Sequence, residues 1–223
     1  MILKNVKTFN NNDICLLSKD THVAKNCYLV VGTIHGDEPA GFYIINEYLK
    51  RNNVTNNVLF IPCLNPDGMA NNTRVNCNGV DINRNFPTKN WGQNEGDNTT
   101  CDDPQTQYFG GITPASEIET RFLIDTVEKY NPKLVLTLHS PYKVVNYDGP
   151  AEKFAQVIAD VIGYPIEKSI GYPTPGSFGT FCGIEKNIPV ITLELDDQIP
   201  VENLYSPMFD IFEKINAILQ SEV

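Results

Sequence analysis

His35 and Glu38 stand three residues apart in "TIHGDEPAG", where the apolar run "YLVVGTI" gives way to a helical pattern. An imidazole and a carboxylate at that spacing can share a divalent cation, although the spacing also arises by chance. A catalytic zinc takes three protein ligands and keeps one position for water, so a third donor is needed. The chain has 3 histidines to choose from. His22 lies in the polar stretch "SKDTHVAKN" and reads as a surface residue, whereas His139 closes the apolar run "KLVLTLH". Taken singly, His139 could cap a core strand, and Glu38 could complement the dipole of a helix's first turn. Their coincidence with His35 at strand ends favours a His/Glu/His metal set. Glu194 strengthens it: "VITLELDD" puts a carboxylate in an apolar strand, where an unpaired charge is costly unless it has a cation, a partner or a job.

Arginine usage adds a separate clue. The chain carries 4 arginines against 13 lysines, and Arg74 and Arg84 both fall in one long loop. A guanidinium offers a fixed fork of donors that suits a carboxylate or a developing oxyanion, which lysine imitates poorly. A solvated surface arginine is the ordinary alternative for each.

These residues need a scaffold that brings distant positions together. The short, nearly continuous apolar runs "YLVVGTI", "NVLFIPCL", "KLVLTLH" and "PVITLEL" suit strands buried on both faces. Between them "EPAGFYIINEYLKR", "PASEIETRFLIDTVEKY" and "PAEKFAQVIADVI" repeat apolar residues at helical steps, and a last helix is predicted near Tyr205 to Gln220. Ser116, three residues before Glu119, predicts a capping box. Strands alternating with such helices predict an α/β three-layer sandwich, its sheet covered by helices on both faces and its ligands collecting at the carboxyl ends of the strands. His35, Asn65, His139 and Glu194 all fall at those ends. The segment Asn65 to Gly111, rich in Gly, Asn and Asp, has little periodicity, and so long a loop in a compact domain is usually functional. With no internal repeat or linker, residues 1–223 read as a single domain.

Composition removes several classes. With 41% hydrophobic and 20% charged residues and no apolar run near the ~20 needed to cross a bilayer, the chain is expected to be neither disordered nor membrane-spanning. A formal charge of −10 opposes nucleic acid and anionic membrane as partners. The start, "MILKNVKTFNNNDICLL", lacks the features of a signal peptide, which predicts a cytoplasmic protein. The cysteines lack Cys-x-x-Cys spacing and are expected to be reduced thiols, with Cys77 and Cys182 as small buried residues. The Asn-x-Ser/Thr sequons at Asn53, Asn71 and Asn98 reflect an asparagine-rich chain.

From Tyr28 to Asp197 the chain resembles the zinc carboxypeptidases of the carboxypeptidase A/B type, and within them most closely the small bacterial murein peptide amidases. The likeness rests on ordered motifs: "HGDE", "NPDG", "TRVNCNGVDINRNFP", "PASEIETR", "TLHSPY" and "TLEL". It implies a mixed, mostly parallel sheet and one Zn2+ per chain held by His35, Glu38 and His139. It implies Glu194 as general base and then proton donor, and Arg74 as the group that polarises the scissile carbonyl. Asn83 and Arg84 would grip a free carboxylate on the leaving side, and Tyr172 would close over the substrate. Ser140, beside the third ligand, and Gly179 would also line the substrate's place. Gly179 stands near the position where relatives preferring basic residues carry an aspartate, so an open floor is expected there.

The implied activity is zinc-dependent hydrolysis, by metal-activated water, of the γ-D-glutamyl to meso-diaminopimelate bond of murein peptides, as a recycling step in peptidoglycan turnover. The substrate would be a small peptide with a free terminal carboxylate. One alternative is a general metallocarboxypeptidase releasing C-terminal amino acids. Another is an N-acyl amino acid deacylase of the aspartoacylase or succinylglutamate desuccinylase kind, which usually continues into a further β domain. A catalytically dead module that binds peptide termini would normally have lost a ligand or the base, and none is missing.

Overall fold

The computed structural model describes residues 1–19, 23, 26–51, 57–93, 103–168 and 174–221. In chain order the strands are β1 (Ile2–Lys7), β2 (Asp13–Ser18), β3 (Tyr28–Gly32), β4 (Val58–Ile61), β5 (Val135–His139), β6 (Val144–Asp148), β7 (Ile166–Glu167) and β8 (Val190–Glu194). The helices are α1 (Ala40–Leu49), α2 (Pro66–Asn71), α3 (Ile118–Tyr130), α4 (Glu152–Ile162) and α5 (Glu202–Ser221). A 3-10 turn covers Ile82–Arg84, and a π-helical segment covers Gly179–Glu185.

Among the described residues these strands form one 8-stranded sheet in the order β1-β2-β4-β3-β5-β8-β6-β7. Its centre, β4-β3-β5-β8, is parallel throughout, while β1/β2, β2/β4 and β6/β8 are antiparallel. The sheet is mixed and mostly parallel, as expected. β3 shows why the core sits on both faces. Its residues are all buried, with Tyr28 and Val30 packing on one side and Leu29 and Val31 on the other, as a two-residue period requires. The first side is covered by α1, α4 and α5 through Tyr48, Phe154 and Phe212, and the second by α3 and the π-helical segment through Phe122 and Phe181.

Local chemistry departs from the sequence reading at three places. The capping box does not form: Ser116 donates to Glu117 Oε1 at 2.6 Å, and Glu119 Oε2 accepts from Asn76 Nδ2 at 3.3 Å, so neither side chain caps α3. The last helix starts at Glu202, ahead of Tyr205; Pro207 is carried within it near its start, where its missing N–H forgoes a single bond. Cys182 is buried as expected, but Cys77 is only partly so, because it sits on the turn that follows Asn76.

Candidate metal centre and cleft

The sheet's parallel core sets the site. β5 and β8 pair in register His139↔Glu194, so a candidate ligand and the candidate base leave neighbouring strands side by side. β3 ends at Gly32, and the chain turns through Thr33, whose φ of 49° is an unusual left-handed value for a β-branched residue. That turn delivers His35 to the same edge. Gly36 then lies against the backbone of α2: a Cβ there would stand 2.0 Å from the carbonyl carbon of Gly68. Only glycine fits at position 36, directly after the first candidate ligand. Glu38 precedes α1, which begins at Ala40, so the ordinary reading of Glu38 as a first-turn helix residue fails.

Three donors converge at this edge. His35 Nδ1 lies 3.0 Å from Glu38 Oε1, His139 Nδ1 lies 2.9 Å from Glu38 Oε2, and the two Nδ1 atoms are 3.2 Å apart. His35 and His139 are 3% and 4% exposed. The other nitrogen of His35, Nε2, lies 3.2 Å from Asp81 Oδ1. With Nε2 protonated and donating to that carboxylate, Nδ1 presents its lone pair to the centre. Asp81 also accepts from Arg74 Nε at 3.0 Å and from the Asn83 backbone at 2.9 Å. Burial raises the Asp81 carboxyl, but Arg74 and His35 outweigh it and hold the group well below the usual carboxylate range. Glu38 is likewise held far down by His35 and His139 against its burial.

Glu194 is 5% exposed, and its Oε2 has no hydrogen-bond partner among the described residues. Burial raises its carboxyl above the ordinary range, opposed by His139 and reinforced by Glu38. Arg74 is held by the loop that the sequence left unstructured. Asn65 caps α2 by accepting from Gly68 N at 2.8 Å, and its Nδ2 donates to the Arg74 carbonyl at 3.3 Å. The Arg74 guanidinium thus stands 3.6 Å from Glu38. Arg84 is 1% exposed; Nη1 donates to the Asn83 carbonyl at 2.8 Å, while Nε and Nη2 find no acceptor among the described residues. Those two N–H groups form one edge of the fork that a carboxylate grips bidentately. Asn83 Oδ1 accepts from Phe178 N at 2.9 Å. The Tyr108 ring lies 5.3 Å from the Arg74 guanidinium carbon and 5.9 Å from that of Arg84.

His35, Glu38, His139, Glu194, Arg74, Asn83, Arg84, Ser140 and Gly179 all line one cavity of about 400 Å³. Tyr172 and His22 lie outside the described residues.

A profile of the zinc carboxypeptidase family matches residues 3–160. The chain belongs to this family. Over 176 residues it is 32% identical to murein peptide amidase A of Escherichia coli (strain K12), a match covering 74% of this chain and 69% of that protein. It is 34% identical, over 75% of this chain and 68% of the relative, to murein peptide amidase A of Vibrio campbellii (strain ATCC BAA-1116). The crystal structure of a murein-tripeptide amidase from Escherichia coli O157 superposes with a TM-score of 0.75 at 25% identity, covering 96% of this chain and 89% of that one. Thrombin activatable fibrinolysis inhibitor shares the fold at a TM-score of 0.77 and 19% identity, over 100% of this chain and 70% of that one. As a zinc carboxypeptidase, the protein is a hydrolytic metallopeptidase or amidase acting on peptides.

The family's zinc can be tested against the donor set. Ligands about 2.0 to 2.1 Å from a tetrahedral ion lie roughly 3.3 to 3.4 Å from one another. The observed separations of 2.9 to 3.2 Å fall a few tenths of an ångström inside that edge, and two imidazole nitrogens facing each other beside a carboxylate call for a shared cation. Sequence reasoning missed Asp81 and Tyr108. Asp81 had a readable signal, an acid between Val80 and Ile82 in an otherwise polar loop, where burial demands a partner. Tyr108 had none.

Proposed function

We propose that this chain, acting as one catalytic domain, hydrolyses the γ-D-glutamyl to meso-diaminopimelate bond of murein peptides in the cytoplasm, with one zinc held by His35, Glu38 and His139. The observation that carries it is the presence, in one cavity, of that donor set, an unpartnered carboxylate at Glu194 and an unspent guanidinium edge at Arg84. The two murein peptide amidases at 32% and 34% identity support the substrate, and the free thiols of the described cysteines suit a reducing compartment.

Zinc bound there lowers the pKa of a water toward ~7 and polarises a carbonyl. Glu194 takes the proton of the attacking water at Oε2, which no protein donor occupies. It then returns that proton to the leaving nitrogen; the carboxyl's rise above its ordinary range favours the first of these transfers, acceptance from water. Arg74, fixed by Asp81, sets positive charge beside the oxygen that becomes negative. Arg84 and Asn83 bind the free carboxylate on the leaving side, which excludes internal peptide bonds. A comparison of kcat/KM for L-Ala-γ-D-Glu-meso-diaminopimelate and a hippuryl amino acid tests the substrate. The tripeptide should be cut by orders of magnitude faster. The reverse ranking would return the protein to general carboxypeptidase work.

A further inference from the structure

Arg74 and Arg84 set two guanidinium groups of like charge in one cavity. Arg74 is tied by carboxylates: its Nε donates to Asp81 Oδ2 at 3.0 Å, and its Nη1 lies 3.6 Å from Glu38 Oε1. Arg84 is held differently. It is 1% exposed, its Nη1 donates to the Asn83 carbonyl, and its Nε and Nη2 find no acceptor among the described residues. A desolvated cation with unspent donors is costly unless something offsets its charge. What faces both groups is an aromatic ring. The Tyr108 ring centre lies 5.3 Å from the Arg74 guanidinium carbon and 5.9 Å from that of Arg84, and Tyr108 lines the same cavity. Both distances fall within the ~6 Å over which the negative face of a ring attracts a cation, and a weakly hydrated guanidinium suits that face well.

The backbone keeps Tyr108 beside the stretch that carries these groups. The Phe109 carbonyl accepts from the Asp81 N–H at 2.8 Å, and Asp81 is the carboxylate that orients Arg74. Gly110 lies against Arg84 itself: a Cβ there would stand 2.7 Å from the Arg84 carbonyl oxygen. The Gly110 carbonyl accepts from Asn85 Nδ2 at 2.7 Å and from Trp91 Nε1 at 3.2 Å. On the other side, the Tyr108 N–H donates to Thr106 Oγ1 at 3.3 Å.

A carboxylate in the place of this ring would occupy the N–H fork of Arg84 and compete with a substrate carboxylate for it. A π face offsets part of the charge and uses none of the N–H donors. We infer that Tyr108 is a positioning residue for the reaction: its ring holds the Arg84 guanidinium ready for the terminal carboxylate of the substrate and the Arg74 guanidinium ready for the oxyanion. The assignment rests on the proposed roles of the two arginines, and it deepens them by naming what aligns both groups without spending their donors.

The test replaces Tyr108 with phenylalanine and then with mono-, di- and trifluorinated phenylalanines, which keep the shape of the ring while weakening its negative face. With L-Ala-γ-D-Glu-meso-diaminopimelate as substrate, kcat/KM should fall step by step from the Tyr108→Phe value, by about 10-fold at the third fluorine. A flat series would overturn the assignment, because a ring that only fills space does not respond to its own charge distribution. The second measurement compares this tripeptide with its form amidated at the terminal α-carboxylate. Wild type should prefer the carboxylate by at least about 100-fold, and Tyr108→Leu should cut that preference about 10-fold, through a higher KM for the carboxylate form. A preference unchanged in Tyr108→Leu would overturn the assignment and leave Arg84 as the clamp. A wild-type protein with no preference would remove the clamp and the assignment together. If the tripeptide is not cut, hippuryl-lysine and hippuryl-lysinamide carry both measurements, so that loss of the murein substrate is told apart from loss of the assignment. If neither pair is cut, the hydrolase reading falls and the assignment falls with it.

Discussion

The electrostatics of the site turn on where each carboxylate spends its lone pairs. Asp81 is saturated by His35, Arg74 and the Asn83 backbone, so it orients and does not react. Glu38 is drawn to two imidazoles. Glu194 alone of the three keeps an unpartnered, buried oxygen, the state expected of a group that exchanges a proton with water and substrate. In Glu194→Gln the amide fills the same space without accepting a proton. Zinc content should stay at the wild-type level while kcat falls about 100- to 10,000-fold. Turnover within a few-fold of wild type would remove Glu194 from the mechanism. The ligand histidines, Glu38 and Glu194 were legible as residues because each breaks an apolar or strand-end pattern.

At the scale of elements, the long loop after β4 is built by side chains that tie its backbone down. Asn65 and Asn76 are its anchors: Asn65 binds Gly68 and the Arg74 carbonyl, while Asn76 donates to both Glu117 and Glu119 at the start of α3. Periodicity cannot see such ties, which is why α2 and the turn Ile82–Arg84 were not read from sequence. The continuous strands β3, β4, β5 and β8 were, whereas β1 and β2 lie at an edge and β7 has only 2 residues. The burial of Glu119 beneath this loop has a titratable consequence, which its hydrogen bond from Asn76 only partly offsets. Burial pushes the Glu119 carboxyl up from 4.5 to about 7, so the folded chain keeps a proton that the unfolded chain loses between those values. The unfolded state binds fewer protons there, and stability therefore falls as pH rises from about 4.5 to about 7. Urea unfolding at pH 5 and pH 8 should show wild type losing on the order of 3 kcal/mol more than Glu119→Gln over that interval. Equal losses in the two chains would contradict a buried, protonated Glu119.

For the whole molecule, the parallel centre of the sheet is the feature from which the rest follows. It brings His35, His139 and Glu194 to one edge although they are far apart in sequence, and the antiparallel pairing of β6 with β8 extends that edge into a cleft. Alternation of apolar runs and helices was enough to place the candidate ligands at the carboxyl ends of strands. The strand order and the antiparallel edges were not in the pattern, because they depend on which neighbours pair. The metal count of the purified protein tests the central claim most directly. After removal of metal and titration with zinc, one equivalent should bind per chain, and His35→Ala and His139→Ala should each lose most of that binding while wild type keeps it. Zinc uptake that fails in folded wild-type protein, or that survives unchanged in both variants, would contradict the account.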